Sequence, residues 1–119
     1  RPLVLVGDGA FQMTGTEIST AARYGLTPIV IVLDNQGYGT ERPMLDGPFN
    51  DVQPWAVSEF TQVFGAGKGY SVDTESAFLA ALRAALADRE NLAIIHVHLA
   101  ADDFSPALLR LTSNLRKRV

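Results

Sequence analysis

Two short apolar runs, each stopped abruptly by glycine and acid or amide residues, constrain this chain more than any other feature. Pro2-Leu3-Val4-Leu5-Val6 ends in Gly7-Asp8-Gly9, and Ile29-Val30-Ile31-Val32-Leu33 ends in Asp34-Asn35-Gln36-Gly37. Runs of this length, rich in β-branched residues, read as strands of a parallel sheet buried on both faces. Positions 10–33 between the two clusters hold enough chain for one helix and a return to the sheet. Successive parallel strands are commonly neighbours joined by a right-handed crossover. The two polar turns are therefore expected side by side at the carboxyl ends of their strands, where ligands of open α/β sheets bind.

The rest of the chain continues that alternation. A helix is expected over about 11–24, closed by Gly25 with Pro28 beyond it. Pro43, Gly47, Pro48 and Pro54 make 34–55 a loop. A short helix over about 56–64, a turn over 65–69 and a brief strand over 70–72 follow. Thr74 is placed to cap a helix over about 75–88, whose Phe78, Leu79, Leu82 and Leu86 share a face and read as core. A last strand covers 93–99, and Ser105-Pro106 opens the closing helix. The expectation is one α/β domain over 1–119, a parallel sheet flanked by helices on both faces.

Composition narrows the partners. With no cysteine, disulfides and thiolate metal sites are excluded. A net charge of −3 without a basic face argues against nucleic acid. Arg116-Lys117-Arg118 follows leucines at helical spacing and reads as the cationic end of a helix. No apolar run reaches membrane-spanning length and no signal peptide is evident, so a cytoplasmic protein with no membrane partner is expected. The chain opens at Arg1 and runs straight into an apolar strand, which suggests a fragment of a longer protein.

The two turns carry the chemistry. A carboxylate from one, with an amide oxygen and a backbone carbonyl from the other, makes half a shell of hard oxygen ligands. Magnesium takes such ligands and completes its octahedron with phosphate and water. Gly9 lets backbone approach closely, and the helix that follows turns its free N–H groups toward an anion. Other glycine-based sites fail on detail. No Gly-x-Gly-x-x-Gly follows the first strand, Gly67-Lys68-Gly69 lacks the rest of a P-loop, and Phe11-Gln12-Met13 lacks the acid of an aspartyl-nucleophile phosphatase. His96 and His98 share one face of the last strand. They offer a two-histidine metal site, but with no nearby carboxylate or third ligand to complete a set, one or both read as packing residues at the sheet edge.

Gly7-Asp8-Gly9, the interval, and then Asp34-Asn35-Gln36-Gly37-Tyr38 together resemble the metal and diphosphate motif of the thiamin-diphosphate enzymes. Asp34 departs from that motif, standing where many members have the first of two asparagines. The resemblance implies the thiamin-diphosphate-binding fold, here the C-terminal part of the diphosphate domain, with thiamin diphosphate and Mg²⁺ as cofactors. It implies Asp8, the Asn35 side chain and the Gly37 carbonyl as metal ligands. It places Gly7, Gly9, Ala10, Tyr38, Gly39 and Thr40 beside them at the cofactor.

Tyr38-Gly39-Thr40-Glu41-Arg42, Asp46-Gly47-Pro48-Phe49-Asn50-Asp51 and Trp55 are similar to the pyruvate, indolepyruvate and branched-chain 2-oxo-acid decarboxylases. In those enzymes a glutamate follows the metal-binding asparagine at the interval that separates Glu41 from Asn35. The resemblance makes Glu41 a catalytic proton donor, since a proton must be delivered before the aldehyde leaves. Thr40 stands where larger aliphatic residues are common, which implies room for a bulky substrate side chain. The substrate implied is a small 2-oxo acid, and the parent a homodimer or homotetramer. The cofactor of such enzymes lies between domains of two subunits, so this chain alone is expected to be inert. Two alternatives stand: a non-catalytic α/β module that keeps the diphosphate grip, and a carboligase like acetolactate synthase, which lacks the glutamate.

Overall fold

β1 (Leu3–Gly7) lies beside β2 (Ile29–Asp34), β2 beside β4 (Ala93–His98), and β4 beside β3 (Lys68–Val72), all parallel. The computed structural model describes residues 1–113 and Leu115, so the basic ending 116–118 lies outside the described residues. The two central strands carry the continuous aliphatic runs. Ile29, Val30, Ile31 and Val32 on β2, with Ala93, Ile94 and Ile95 on β4, are buried on both faces. Burying each large aliphatic side chain is worth about 1.5–3 kcal/mol.

Alternation along the strands sends these residues to two cores. Ile29, Ile31, Ile95 and Val72 pack under α4 (Glu75–Ala87). Val30, Val32 and Ile94 pack on the opposite face against Phe11, Val57 and Leu92. Ile18, Trp55 and Phe60, from α2 (Ile18–Arg23), the loop and α3 (Phe60–Val63), complete that side. Helices thus cover both faces, as the alternation predicts. Among the described residues no helix is long and apolar enough to cross a membrane.

Four local expectations need correction. β1 is not buried on both faces: as an edge strand with one neighbour, it leaves Leu3, Val4 and Leu5 exposed by 55, 41 and 63%. The first helix begins at Asp8 rather than near Phe11. Gly7 is its extended N-cap, α1 runs Asp8–Thr14, and a 3₁₀ turn at Gly15–Glu17 separates α1 from α2. On α4 the buried residues are Ala81 and Ala85, with Phe78 and Leu82 half-buried, whereas Leu79 and Leu86 are exposed. Small alanines bring the helix axis close to the sheet and leave the flanking leucines outside. Lys68 and Gly69, expected in a turn, open β3.

The helix starts follow their signals. Thr74 Oγ1 accepts the Ala77 N–H at 3.3 Å, and Ser105 Oγ accepts the Leu108 N–H at 3.1 Å at the start of α5 (Pro106–Ser113). The expected loop is irregular apart from a 3₁₀ turn at Pro48–Asn50 and an antiparallel bridge between Gly37 and Asp51.

Candidate metal and diphosphate site

β1 and β2 are neighbours in register, Gly7 opposite Leu33, so their polar ends meet as expected. Between them opens a cavity of about 350 Å³. Gly7, Asp8, Gly9, Ala10, Asn35, Gly37, Tyr38, Gly39 and Thr40 all line it. Leu33 and Leu99 join them, two apolar residues that sequence reasoning missed; Leu99, just past β4, is brought there by its N–H, which donates to the Asp34 carbonyl at 2.8 Å. Glu41 does not line the cavity. It is exposed, and its carbonyl accepts the N–H groups of Met44 and Leu45. A separate apolar cleft of about 270 Å³ runs between β1 and the first helices, and its only ionisable group is Glu17.

Three oxygen-bearing groups converge at the cavity floor. The end of the Asn35 amide lies 2.9 Å from the Gly37 carbonyl oxygen and 3.2 Å from Asp8 Oδ1. With its nitrogen turned inward, the amide donates to both. With its oxygen turned inward, three oxygens face one another, an arrangement that a bound cation would stabilise. Asp8 is 4% exposed and its Oδ2 has no hydrogen-bond partner among the described residues. A buried, unmatched carboxylate oxygen is costly unless a cation meets it. Burial, only partly offset by the Gly9 N–H, and the charge of neighbouring Asp34 push the Asp8 carboxyl above its ordinary range. The donor set fits Mg²⁺, which prefers hard oxygens and leaves positions for phosphate and water.

The backbone around the floor is drawn tight. A Cβ on Gly9 would sit 2.7 Å from the Tyr38 ring, and one on Gly39 would run into the Asn35 amide. Gln36 adopts φ +64°, a left-handed conformation that non-glycine residues rarely take, and Gly37 follows at φ +153°. Arg42 holds this turn from outside. Its guanidinium donates to the Gln36 carbonyl at 3.0 Å and pairs with Asp51 at 2.9 Å and Asp46 at 3.1 Å. The Tyr38 N–H adds a bond to the Asn50 carbonyl at 2.8 Å.

Asp34 is absent from the cavity wall. Burial raises its carboxyl, but hydrogen bonds from His96 and the Gln36 N–H outweigh that and hold it below its ordinary range. His96 and His98 are therefore not bare packing residues: the carboxylate that sequence reading found no sign of is Asp34, brought by the neighbouring strand. The signal for it was Asp34 itself, the one departure from the motif.

Comparisons with known proteins converge on one group. The family "Thiamine pyrophosphate enzyme, C-terminal TPP binding domain" matches residues 1–97. A pyruvate decarboxylase of Aspergillus terreus is 43% identical over 122 residues, covering 95% of this chain and 21% of that protein. The indole-3-pyruvate decarboxylase of Azospirillum brasilense is 34% identical over 118 residues, covering 98% of this chain and 22% of that protein. Among solved structures, a thiamine diphosphate-dependent 4-hydroxybenzoylformate decarboxylase of Rhodococcus jostii RHA1 superposes with a TM-score of 0.75 at 27% identity, over 86% of this chain and 20% of that one. The chain spans about one fifth of the length of the curated relatives it matches.

Proposed function

The chain belongs to the thiamine pyrophosphate enzymes, matching their C-terminal TPP-binding domain, and from that premise we propose that it forms the Mg²⁺ and diphosphate grip of a non-oxidative 2-oxo-acid decarboxylase. In this reading 1–119 is the C-terminal part of the diphosphate domain of a longer, cytoplasmic, homodimeric or homotetrameric protein. The observation that carries it is the convergence of the Asp8 carboxylate, the Asn35 amide and the Gly37 carbonyl beside a carboxylate oxygen without a partner. Those three groups bind the cation. The cavity lined by Gly7, Gly9, Ala10, Tyr38, Gly39 and Thr40 receives the diphosphate.

Thiamin diphosphate, when bound, supplies the electron sink that lets a 2-oxo acid lose CO₂. The chain's own residues hold it and move a proton. Glu41 comes after Tyr38-Gly39-Thr40 beyond the turn, and its resemblance to the glutamate of the decarboxylases makes it the proton donor to the product side. The substrate is a small 2-oxo acid: pyruvate, indolepyruvate, phenylpyruvate or a branched-chain acid. Thr40 beside Glu41 leaves room for the bulkier of these.

The test is turnover of this panel by the intact protein with and without Mg²⁺, followed as aldehyde and CO₂ release. The expected result is Mg²⁺-dependent decarboxylation of at least one acid. Binding of thiamin diphosphate without turnover of any would instead support a non-catalytic diphosphate module, the reading that the exposed position of Glu41 outside the cavity favours.

A further inference from the structure

Two carboxylates stand together at the carboxyl edge, because Asp34 closes β2 and lines, with Asp8, one small cleft beside the cavity. A free carboxylate at that place would compete for a cation and repel a diphosphate. Neither oxygen of Asp34 is free. Oδ1 accepts the Gln36 N–H at 3.0 Å, and Oδ2 is bonded to His96 Nε2 at 2.7 Å. His96 is 3% exposed and stands on β4, the strand beside β2. His98, further along the same face, brings Nδ1 to 3.7 Å from Asp34 Oδ2 while its Nε2 meets Ser71 Oγ at 2.8 Å.

We propose that His96 is a positioning residue for the metal-binding turn: its Nε2–H holds the Asp34 carboxylate against β4, so that Asp8 alone presents an open carboxylate to the cation. This rests on the reading that Asp8, Asn35 and Gly37 bind Mg²⁺. The same bond pins the first residue of Asp34-Asn35-Gln36-Gly37, the turn in which Gln36 is held at φ +64°. A rival use of the cluster is a second cation held by Asp34, His96 and His98, whose ligand atoms lie within 4.8 Å of one another. The existing bonds favour the positioning role, since Gln36 and His96 already occupy Asp34 and Ser71 occupies His98.

The experiment compares the intact wild-type protein with His96→Leu and with the double variant Asp34→Asn/His96→Leu. Each is titrated calorimetrically with thiamin diphosphate at fixed Mg²⁺, and the wild type and His98→Ala also with Zn²⁺ alone. His96→Leu is expected to weaken cofactor binding by about 10-fold or more, the range for residues that orient metal ligands. The double variant is expected to recover most of that loss, because no carboxylate is left to stray. A histidine that only supported the fold would leave the double variant no better than the single. Should His96→Leu fail to fold, His96→Ala with the same Asp34→Asn rescue is read in its place.

Unchanged affinity in the single variant, absence of rescue, or one Zn²⁺ bound by wild type and lost in His98→Ala would each overturn the proposal. If wild-type binding needs no Mg²⁺, the metal reading fails, and the proposal with it. That outcome is read from the wild type alone and so is distinct from the others.

Discussion

At the amino edge of the sheet the Arg1 guanidinium donates to the carbonyls of Thr27, Ala85, Asp88 and Asn91, while at the carboxyl edge Asp8 lies buried with an oxygen that nothing meets. Asp88, also at the amino edge, accepts from Lys68 at 2.6 Å, from the Glu90 and Asn91 N–H groups, and from the Asn91 side chain. Its oxygens are matched by donors of this chain. Asp8 is matched on one side only: Oδ1 lies 3.2 Å from the end of the Asn35 amide, while Oδ2 meets no donor among the described residues. One edge closes the fold; the other is held open at a cost of about 1–3 kcal/mol for the unmatched group, a loss that a bound cation would offset.

The comparison breaks most visibly at Asp8. Asp8→Ala is expected to weaken thiamin diphosphate binding in Mg²⁺ by at least about 100-fold, while the cation-free protein melts no lower than wild type. Calorimetry and a thermal melt read both, and normal cofactor binding by the variant would remove the metal assignment. Next in size, Glu41→Gln in the intact protein should lower kcat by at least about 10²-fold with cofactor affinity nearly unchanged. A fully active variant would show that the exposed carboxyl has no part in proton transfer.

Gly37→Ala sharpens the contrast from the backbone side. At φ +153° its new Cβ would collide with the Asn50 carbonyl. We expect a stability loss of about 1–3 kcal/mol, with weakened cofactor binding, measured by denaturant titration. Smallest is Asp88→Ala, which should lower Tm modestly and leave cofactor affinity untouched. The Lys68 ammonium, the Asn91 amide and the Glu90 N–H hold the Asp88 carboxyl well below the usual carboxylate range. A depressed carboxyl stabilises the fold above its unfolded pKa and loses that contribution as pH falls through the folded value. Wild type and Asp88→Ala should therefore converge in stability on acidification below the ordinary carboxylate range. A gap that stays constant with pH would contradict the pairing.

What the sequence made legible was what local pattern and spacing decide. The aliphatic runs of β2 and β4, the Thr74 cap and the Ser105-Pro106 helix start depend on near neighbours, and they stand where expected. So do the two polar turns, because β1 and β2 are consecutive as well as adjacent. Sheet order is another matter. That β4 inserts between β2 and β3, leaving β1 at the edge, depends on contacts far apart in sequence. The exposure of Leu3 and Leu5 and the meeting of Asp34 with His96 follow from that order. Arg42 is a related case: the turn carries its guanidinium to the Gln36 carbonyl, Asp46 and Asp51, which residue order alone does not reveal.

The most direct measurement is a calorimetric titration of the intact wild-type protein with thiamin diphosphate, once in Mg²⁺ and once after chelation with EDTA. Saturable one-to-one binding is expected in Mg²⁺, lost on chelation. Equal binding in both would contradict the claim that the oxygens of Asp8, Asn35 and Gly37 together hold a cation.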